Sequence, residues 1–294
     1  MRKTIICKFV GTSVSSPIPI KTIQKIVKHH GNDHVVVVVS ALSGVTDLLL
    51  SLSTGASVQM TIKKIRDIHY SLVKSIWTHE SEVRKIMLHI DRIRMQIKKH
   101  SETTTHKSKI DRLMAYGEIM SSYIIAQALE KVRIHAYQII ASDIIVTDSH
   151  FGSADFLPRE TKQAVTKMLG PLLKKNIVPV VTGFIGAAKD GRVTTLGRGG
   201  SDYTAAILGF CLDAKEVQIW TDVDGMYTSD PRKEKNARLI PEISYQQAFM
   251  MASNGAKVLH PRTVMPAEQA QIPIRILNTF CPEKPGTIIQ MIGV

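Results

Sequence analysis

The run HVVVVVS at 34–40 constrains the fold more than any other stretch. Five consecutive valines leave no polar face, so a strand there must be covered on both sides. Their β-branched side chains suit an extended backbone better than a helix. Such a strand belongs inside a parallel sheet with helices above and below. Apolar runs at 4–9, 35–40, 134–140, 177–182, 216–220 and 272–277 predict six strands. Helical periodicity falls between them, at about 20–29, 57–100, 108–131, 161–175, 201–212 and 244–252. This alternation predicts an α/β fold with a mainly parallel sheet. The stretch 57–100 reads as a helical excursion from that sheet, and the polar loop 101–109 as the cap of the next helix.

One hairpin is legible. Two alternating arms, VVTGFIGAA and VTTLG, are joined by KDGR, and Asp-Gly at a tight turn is a strong hairpin signal. The second arm leads directly into GRGGSD.

The composition narrows the function classes. With 294 residues, 44% of them hydrophobic, the chain can fill one large domain or two lobes. No stretch approaches the roughly 20 apolar residues of a membrane helix. The first apolar run is too short for a signal peptide, so a cytoplasmic protein is expected. Cys7, Cys211 and Cys281 are too scattered for a disulfide framework or a zinc site. The net charge is +13, and residues 61–112, with 13 Lys/Arg and 6 Asp/Glu, carry +7 of it. Without interleaved aromatics or a known module, this reads as a solvated helical face, and nucleic acid is not expected as a partner. The five histidines there do not share a helix face, which argues against a metal site.

The chemistry gathers where strands end. In TLGRGGSD, Gly197, Gly199 and Gly200 allow close backbone approach to a ligand. Ser201 and Asp202 read as N-cap residues of the helix that follows. Helix N-termini attract anions, and Arg198 adds a fork suited to carboxylate or phosphate. No Walker lysine motif and no protein-kinase motif set occurs. A phosphate-binding lysine must then come from elsewhere, and Lys8 leaves the first strand beside Gly11, Thr12 and Ser13. The valine strand ends similarly in SALSGVTD, and ligands of open parallel sheets sit outside the carboxyl ends of strands. Glu118 lies among apolar residues, either at the edge of the stripe or as a buried charge needing a cationic partner. IWTDVDGMYTSDPR lacks metal-loop spacing and reads as a nucleotide contact through Thr221, Asp222, Tyr227 and Arg232. NGAKVLHPR brings Lys257, with Val258 beside it, ahead of a proline-containing turn.

Together, KF-x-GTSV, VVVSALSGVTD, GE, TLGRGGSD, WTDVDGMYTSDPR and GAKVLHPRT, in this order, resemble the aspartate kinases of the amino-acid kinase family. The resemblance runs from Lys8 to about Ile289. It implies a three-layer αβα sandwich, with an N-terminal lobe (about 1–180) for the amino acid and a C-terminal lobe (about 181–294) for the nucleotide. It implies ATP, Mg²⁺ and L-aspartate as ligands and aspartyl 4-phosphate as product, the first step toward lysine, threonine and methionine. By matched positions, Lys8 would contact the transferring phosphate, and Val10, Gly11, Thr12, Ser13, Gly199 and Gly200 would surround it. Ser40 and Thr46 would lie near aspartate. Glu118 would take its ammonium group and Arg198 its α-carboxylate. Ser201 would support the substrate and Asp202 organise the centre. Thr221, Asp222, Tyr227, Arg232, Lys257 and Val258 would line the ATP site. The nucleophile would be the already ionised β-carboxylate, so no general base is needed.

Two departures stand out. The family usually has glycine where this chain has Val10. A left-handed backbone there would strain valine, and a close phosphate would be crowded by it; ordinary extended geometry would do neither. Reduced activity is the expectation, with Val10→Gly raising kcat/KM. The chain also ends where the family usually continues into two ACT domains, which implies insensitivity to lysine and threonine and leaves a homodimer as a further expectation. The alternatives are a kinase for another carboxylate, a catalytically silent nucleotide binder, for which Val10 is the only ground, and a nucleic-acid binder resting on charge alone.

Overall fold

The computed structural model describes residues 2–101, 106–229, 233–234, 236–254 and 259–292. In chain order its elements are β1 (Thr4–Phe9), α1 (Gly11–Val14), α2 (Pro17–His29), β2 (His34–Val39), α3 (Val45–Ser51), α4 (Val58–Ile76), α5 (Glu80–Ser101), α6 (Lys107–Lys131), β3 (Ala136–Ile139), β4 (Val146–Thr147), α7 (Pro158–Lys174), β5 (Val178–Thr182), β6 (Ile185–Ala188), β7 (Val193–Thr195), α8 (Gly200–Leu212), β8 (Glu216–Thr221), β9 (Glu242–Ser244), α9 (Tyr245–Ser253), α10 (Pro261–Gln269), β10 (Ile274–Asn278) and β11 (Thr287–Gln290).

The main sheet has eight strands in the order β3-β5-β2-β1-β8-β10-β11-β9, parallel throughout except between β10 and β11. The valine strand lies inside it, between β5 and β1. Side-chain alternation sorts residues to the two faces. Val35, Val37 and Val39 join Ile5, Cys7 and Phe9 in a core shared with α2, α4, α5 and α6. Val36, Val38 and Ile6 join the opposite core with α7, α8, α9 and α10. The architecture is an αβα sandwich around a mainly parallel sheet. Among the described residues, no helix is long and apolar enough to cross a membrane.

Several sequence expectations need correction. The stretch 57–100 is not one helix. It breaks at buried Trp77, whose backbone is extended (φ −111°, ψ 125°), and α5 restarts at Glu80. Periodicity records apolar spacing and does not register a three-residue break. The two helices bury their apolar stripes and leave charges outward, where Arg66 and Arg94 pair with Asp91. The hairpin forms, but its arms belong to a separate small sheet, β4-β6-β7, while VPVVT stays in the main sheet. The turn expected after Lys257 gives way to helix α10, which starts with Pro261 in its first turn, where the missing N–H costs nothing.

Candidate active site

Strand alternation aims Lys8. Ile6 faces the core containing α8, so Lys8, two residues on, faces α8 as well. There its Nζ meets Asp202 Oδ1 at 2.5 Å, with the lysine side chain 4% exposed. Asp202 does not cap α8. The N-cap is Gly199 in the left-handed region (φ 71°), and the helix begins at Gly200, which puts Ser201 and Asp202 in its first turn. The amides of such a turn have no helical acceptor, and in α8 they border a cavity. Because α8 is buried on nearly all sides, this end is one of its few outlets.

That cavity, about 770 Å³, gathers Lys8, Ser40, Thr46, Glu118, Gly197, Arg198, Gly199, Gly200, Ser201 and Asp202, all of them residues singled out from sequence. Glu118 is 3% exposed. Its Oε1 accepts from the Ala41 amide at 3.3 Å, and its Oε2 has no hydrogen-bond partner. Burial pushes its carboxyl up from the usual 4.5 to about 8. Of the two alternatives for Glu118, the buried carboxyl is the one found, without the cationic partner among the described residues that a buried charge would need. Arg198 is exposed toward the cavity and makes no ion pair among the described residues. A buried carboxyl and an open guanidinium therefore share one cavity, and neither satisfies the other.

Of the nucleotide candidates, Lys8, Gly199 and Gly200 line this cavity, whereas the other described ones lie outside it, around the carboxyl ends of β1, β8 and β10. The Val10 amide donates to Trp220 O at 3.1 Å, which sets Gly11 beside Thr221. A Cβ on Gly11 would sit 2.9 Å from Ala41 O, so the loop needs glycine for close approach. Thr12 is exposed. Ser13 is buried, and its hydroxyl bonds to that of Thr279 at 2.7 Å, which ties the two strand ends together. Asp222 is exposed. Tyr227 OH donates to Asp224 at 3.4 Å, and Asp224 also holds Asn278 and Lys284. Arg232, Lys257 and Val258 lie outside the described residues.

Val10 proves unstrained. Its φ of −72° and ψ of 167° are ordinary extended values, and it does not line the cavity. The backbone cause for reduced activity is absent, and the crowding of phosphates by the side chain is left to the Val10→Gly variant itself. That variant should leave kcat/KM within about threefold and lower stability by roughly 0.5–1 kcal/mol through chain entropy. A clear rise in kcat/KM would reveal crowding of the phosphates instead. Gly199 is the opposite case. At φ +71°, with an added Cβ only 2.3 Å from His260 Cβ, Gly199→Ala should cost roughly 2–4 kcal/mol, measurable by urea unfolding.

Sequence reasoning missed several residues of the cavity wall. Lys107, Asp111, Met114 and Glu118 form one line along α6. Their spacing of four, three and four is a helical stripe, so extending the stripe from Glu118 would have found the others. Phe151, Gly152 and Ser153 come from the loop after β4, and no motif marked them.

Comparison with known proteins agrees with this geometry. The profile of the amino acid kinase family matches residues 3–278. Aspartokinase 1 of Arabidopsis thaliana chloroplasts is 34% identical over 97% of this chain and 52% of its own length. The lysine-sensitive aspartokinase 3 of Escherichia coli is 35% identical over 98% of this chain and 64% of its own. The crystal structure of E. coli aspartokinase III with aspartate and ADP superposes with a TM-score of 0.89 at 32% identity, covering 99% of this chain and 65% of that one. The chain thus spans little more than half to about two-thirds of the length of these relatives. A profile match over nearly the whole chain, on a sheet whose strand ends assemble this cavity, shows that it belongs to the amino acid kinase family.

Proposed function

We propose that this chain is an aspartate kinase catalytic unit, which transfers the γ-phosphoryl group of ATP to the β-carboxylate of L-aspartate. The observation that carries the reading is the unpartnered pair in the cavity, buried Glu118 and open Arg198. An α-amino acid supplies the two missing partners, an ammonium for Glu118 and a carboxylate for Arg198. Ser40, Thr46 and Ser201 line the same cavity and would hold the remaining polar atoms. This orients the substrate's side-chain carboxylate toward Lys8, Asp202 and the first turn of α8. The relative solved with aspartate and ADP supports the same assignment.

The reaction needs little covalent help from the protein. A carboxylate oxygen attacks the γ-phosphorus, the bond to the bridging oxygen breaks, and ADP leaves with that electron pair. Lys8 sits where negative charge builds on the transferring group, while the α8 amides supply fixed dipoles that need no reorganisation. The Lys8–Asp202 pair holds the ammonium in place before substrate arrives. In this scheme residues 181–294 carry the nucleotide, with Thr221, Asp222 and Tyr227 beside the phosphate loop at Gly11. The donor set fits a magnesium ion carried mainly by phosphates, since no cluster of three metal-ligating side chains occurs among the described residues and Asp202 is the nearest carboxylate to Lys8. When bound, that ion would neutralise phosphoryl charge.

The test is direct. The protein is incubated with Mg-ATP and hydroxylamine, with L-aspartate in one tube and L-glutamate in another. Aspartyl hydroxamate with aspartate alone is the expected result. Product only with glutamate would move the assignment to another amino acid, and ATP binding without product would indicate a silent binder.

A further inference from the structure

Arg262 reaches from the first turn of α10 into the loops beside Arg198. Its Nη1 donates to Leu196 O at 2.8 Å and to Ser153 Oγ at 3.2 Å. Its Nη2 donates to Ala154 O at 2.7 Å and also to Asp155 Oδ1. The guanidinium lies over the Tyr203 ring, 4.6 Å from its centroid, next to Asp202 in sequence.

Asp111 grips the same two segments from α6. Its Oδ2 accepts from the Gly152 and Thr195 amides, each at 2.8 Å, and its Oδ1 accepts from Thr195 Oγ1 at 2.9 Å. The gripped residues are consecutive. Asp111 takes Gly152 and Thr195, and Arg262 takes residues 153–155 and Leu196. Gly197, Arg198 and Gly199 follow at once, the two glycines at φ of 77° and 71°. An added Cβ on Gly197 would lie 3.1 Å from Ser153 Oγ, so the two segments are in close contact. Glycines offer no side chain by which to anchor a loop. Arg198 therefore depends on its flanks for its direction.

We infer that Asp111 and Arg262 form a bracket of positioning residues that aims Arg198 at the amino-acid carboxylate. The inference rests on the substrate reading given under Proposed function. Neither residue is free to bind substrate through the groups it commits to the loops. A displacement of about 1 Å in an orienting group can cost on the order of 100-fold in rate or binding. The fork of Arg262 serves two carbonyls, a hydroxyl and a carboxylate at once, which a lysine cannot reproduce.

The test uses Arg262→Lys, Arg262→Ala and Asp111→Asn in the full chain. Hydrogen exchange is followed over 150–156 and 195–200, and KM is measured separately for L-aspartate and ATP. Faster exchange confined to those segments is expected, with KM for L-aspartate raised about tenfold or more. KM for ATP should rise much less than KM for L-aspartate, because Arg198 is assigned to the amino-acid carboxylate while Thr221, Asp222 and Tyr227 lie outside this cavity. Unchanged exchange, or an equal rise in both KM values, would overturn the bracket. If Arg262→Ala does not fold, Arg262→Lys and the near-isosteric Asp111→Asn decide. A wild-type protein that ignores aspartate would refute the substrate reading alone, because exchange reports on the bracket without turnover.

Discussion

Glu118→Gln is expected to raise KM for L-aspartate by about 100-fold, equivalent to roughly 3 kcal/mol for a buried charge-assisted hydrogen bond. The neutral amide keeps the shape of the site and loses the charge that an ammonium group requires. The pH dependence makes the test sharper. In the ligand-free protein Glu118 releases its proton only near pH 8, because burial disfavours the anion. An arriving ammonium needs the carboxylate, so binding expels that proton. KM for L-aspartate should therefore fall as pH rises from 6 toward 8, by up to about tenfold per unit, and then level off. In Glu118→Gln the same profile should be flat. Stability moves in the opposite sense. A carboxyl raised from 4.5 to about 8 disfavours folding increasingly as pH climbs through that window. The ligand-free Gln variant should thus melt higher than wild type at pH 8. A variant with unchanged KM and an unchanged pH profile would remove Glu118 from the substrate site.

Lys8→Met should lower kcat by about 10²- to 10³-fold and leave KM for L-aspartate within about threefold. In this arrangement Glu118 and Arg198 bind the amino acid, while Lys8 acts on charge that grows during transfer. The substitution also strands Asp202, whose side chain is only 14% exposed, so stability should fall. The double variant Lys8→Met, Asp202→Asn should recover part of that stability and none of the activity. Stability is read by urea unfolding and activity by hydroxamate formation. A Lys8→Met protein with near-normal kcat would show that phosphoryl charge is met elsewhere.

Much of the fold was legible because it depends on short-range periods. The valine run marked an interior strand, and strand–helix alternation marked a layered α/β sandwich. The site was legible at strand ends, where Lys8, Ser40, Thr46 and the Arg198 loop do line one cavity. Other features were not. Spacing places Asp111 on the Glu118 stripe, yet shows neither its burial, at 2% exposed, nor its hold on two loops. Arg262 reads as one basic residue among many, and its partners lie 66 to 109 residues away. The break at Trp77 and the proline-led α10 escaped because apolar spacing does not show where a helix stops for packing reasons. Strain at Val10 could be dismissed only once its backbone angles were known.

The sequence by itself determined which way side chains point. A period of two sent Ile6 and Lys8 to one face of β1, and a helical stripe put Asp111 and Glu118 on one side of α6. Tertiary structure decided what stands opposite each charge. Placing β1 between β2 and β8 gave Lys8 its carboxylate in Asp202, and the crossing of α10 over the loops gave Arg262 its partners. The same packing left Glu118 buried without a cation and Arg198 without an ion pair among the described residues. Direction is set by neighbours along the chain, whereas burial and pairing are set by segments far apart in sequence, and it is the unpartnered carboxyl and guanidinium that give this cavity its chemistry.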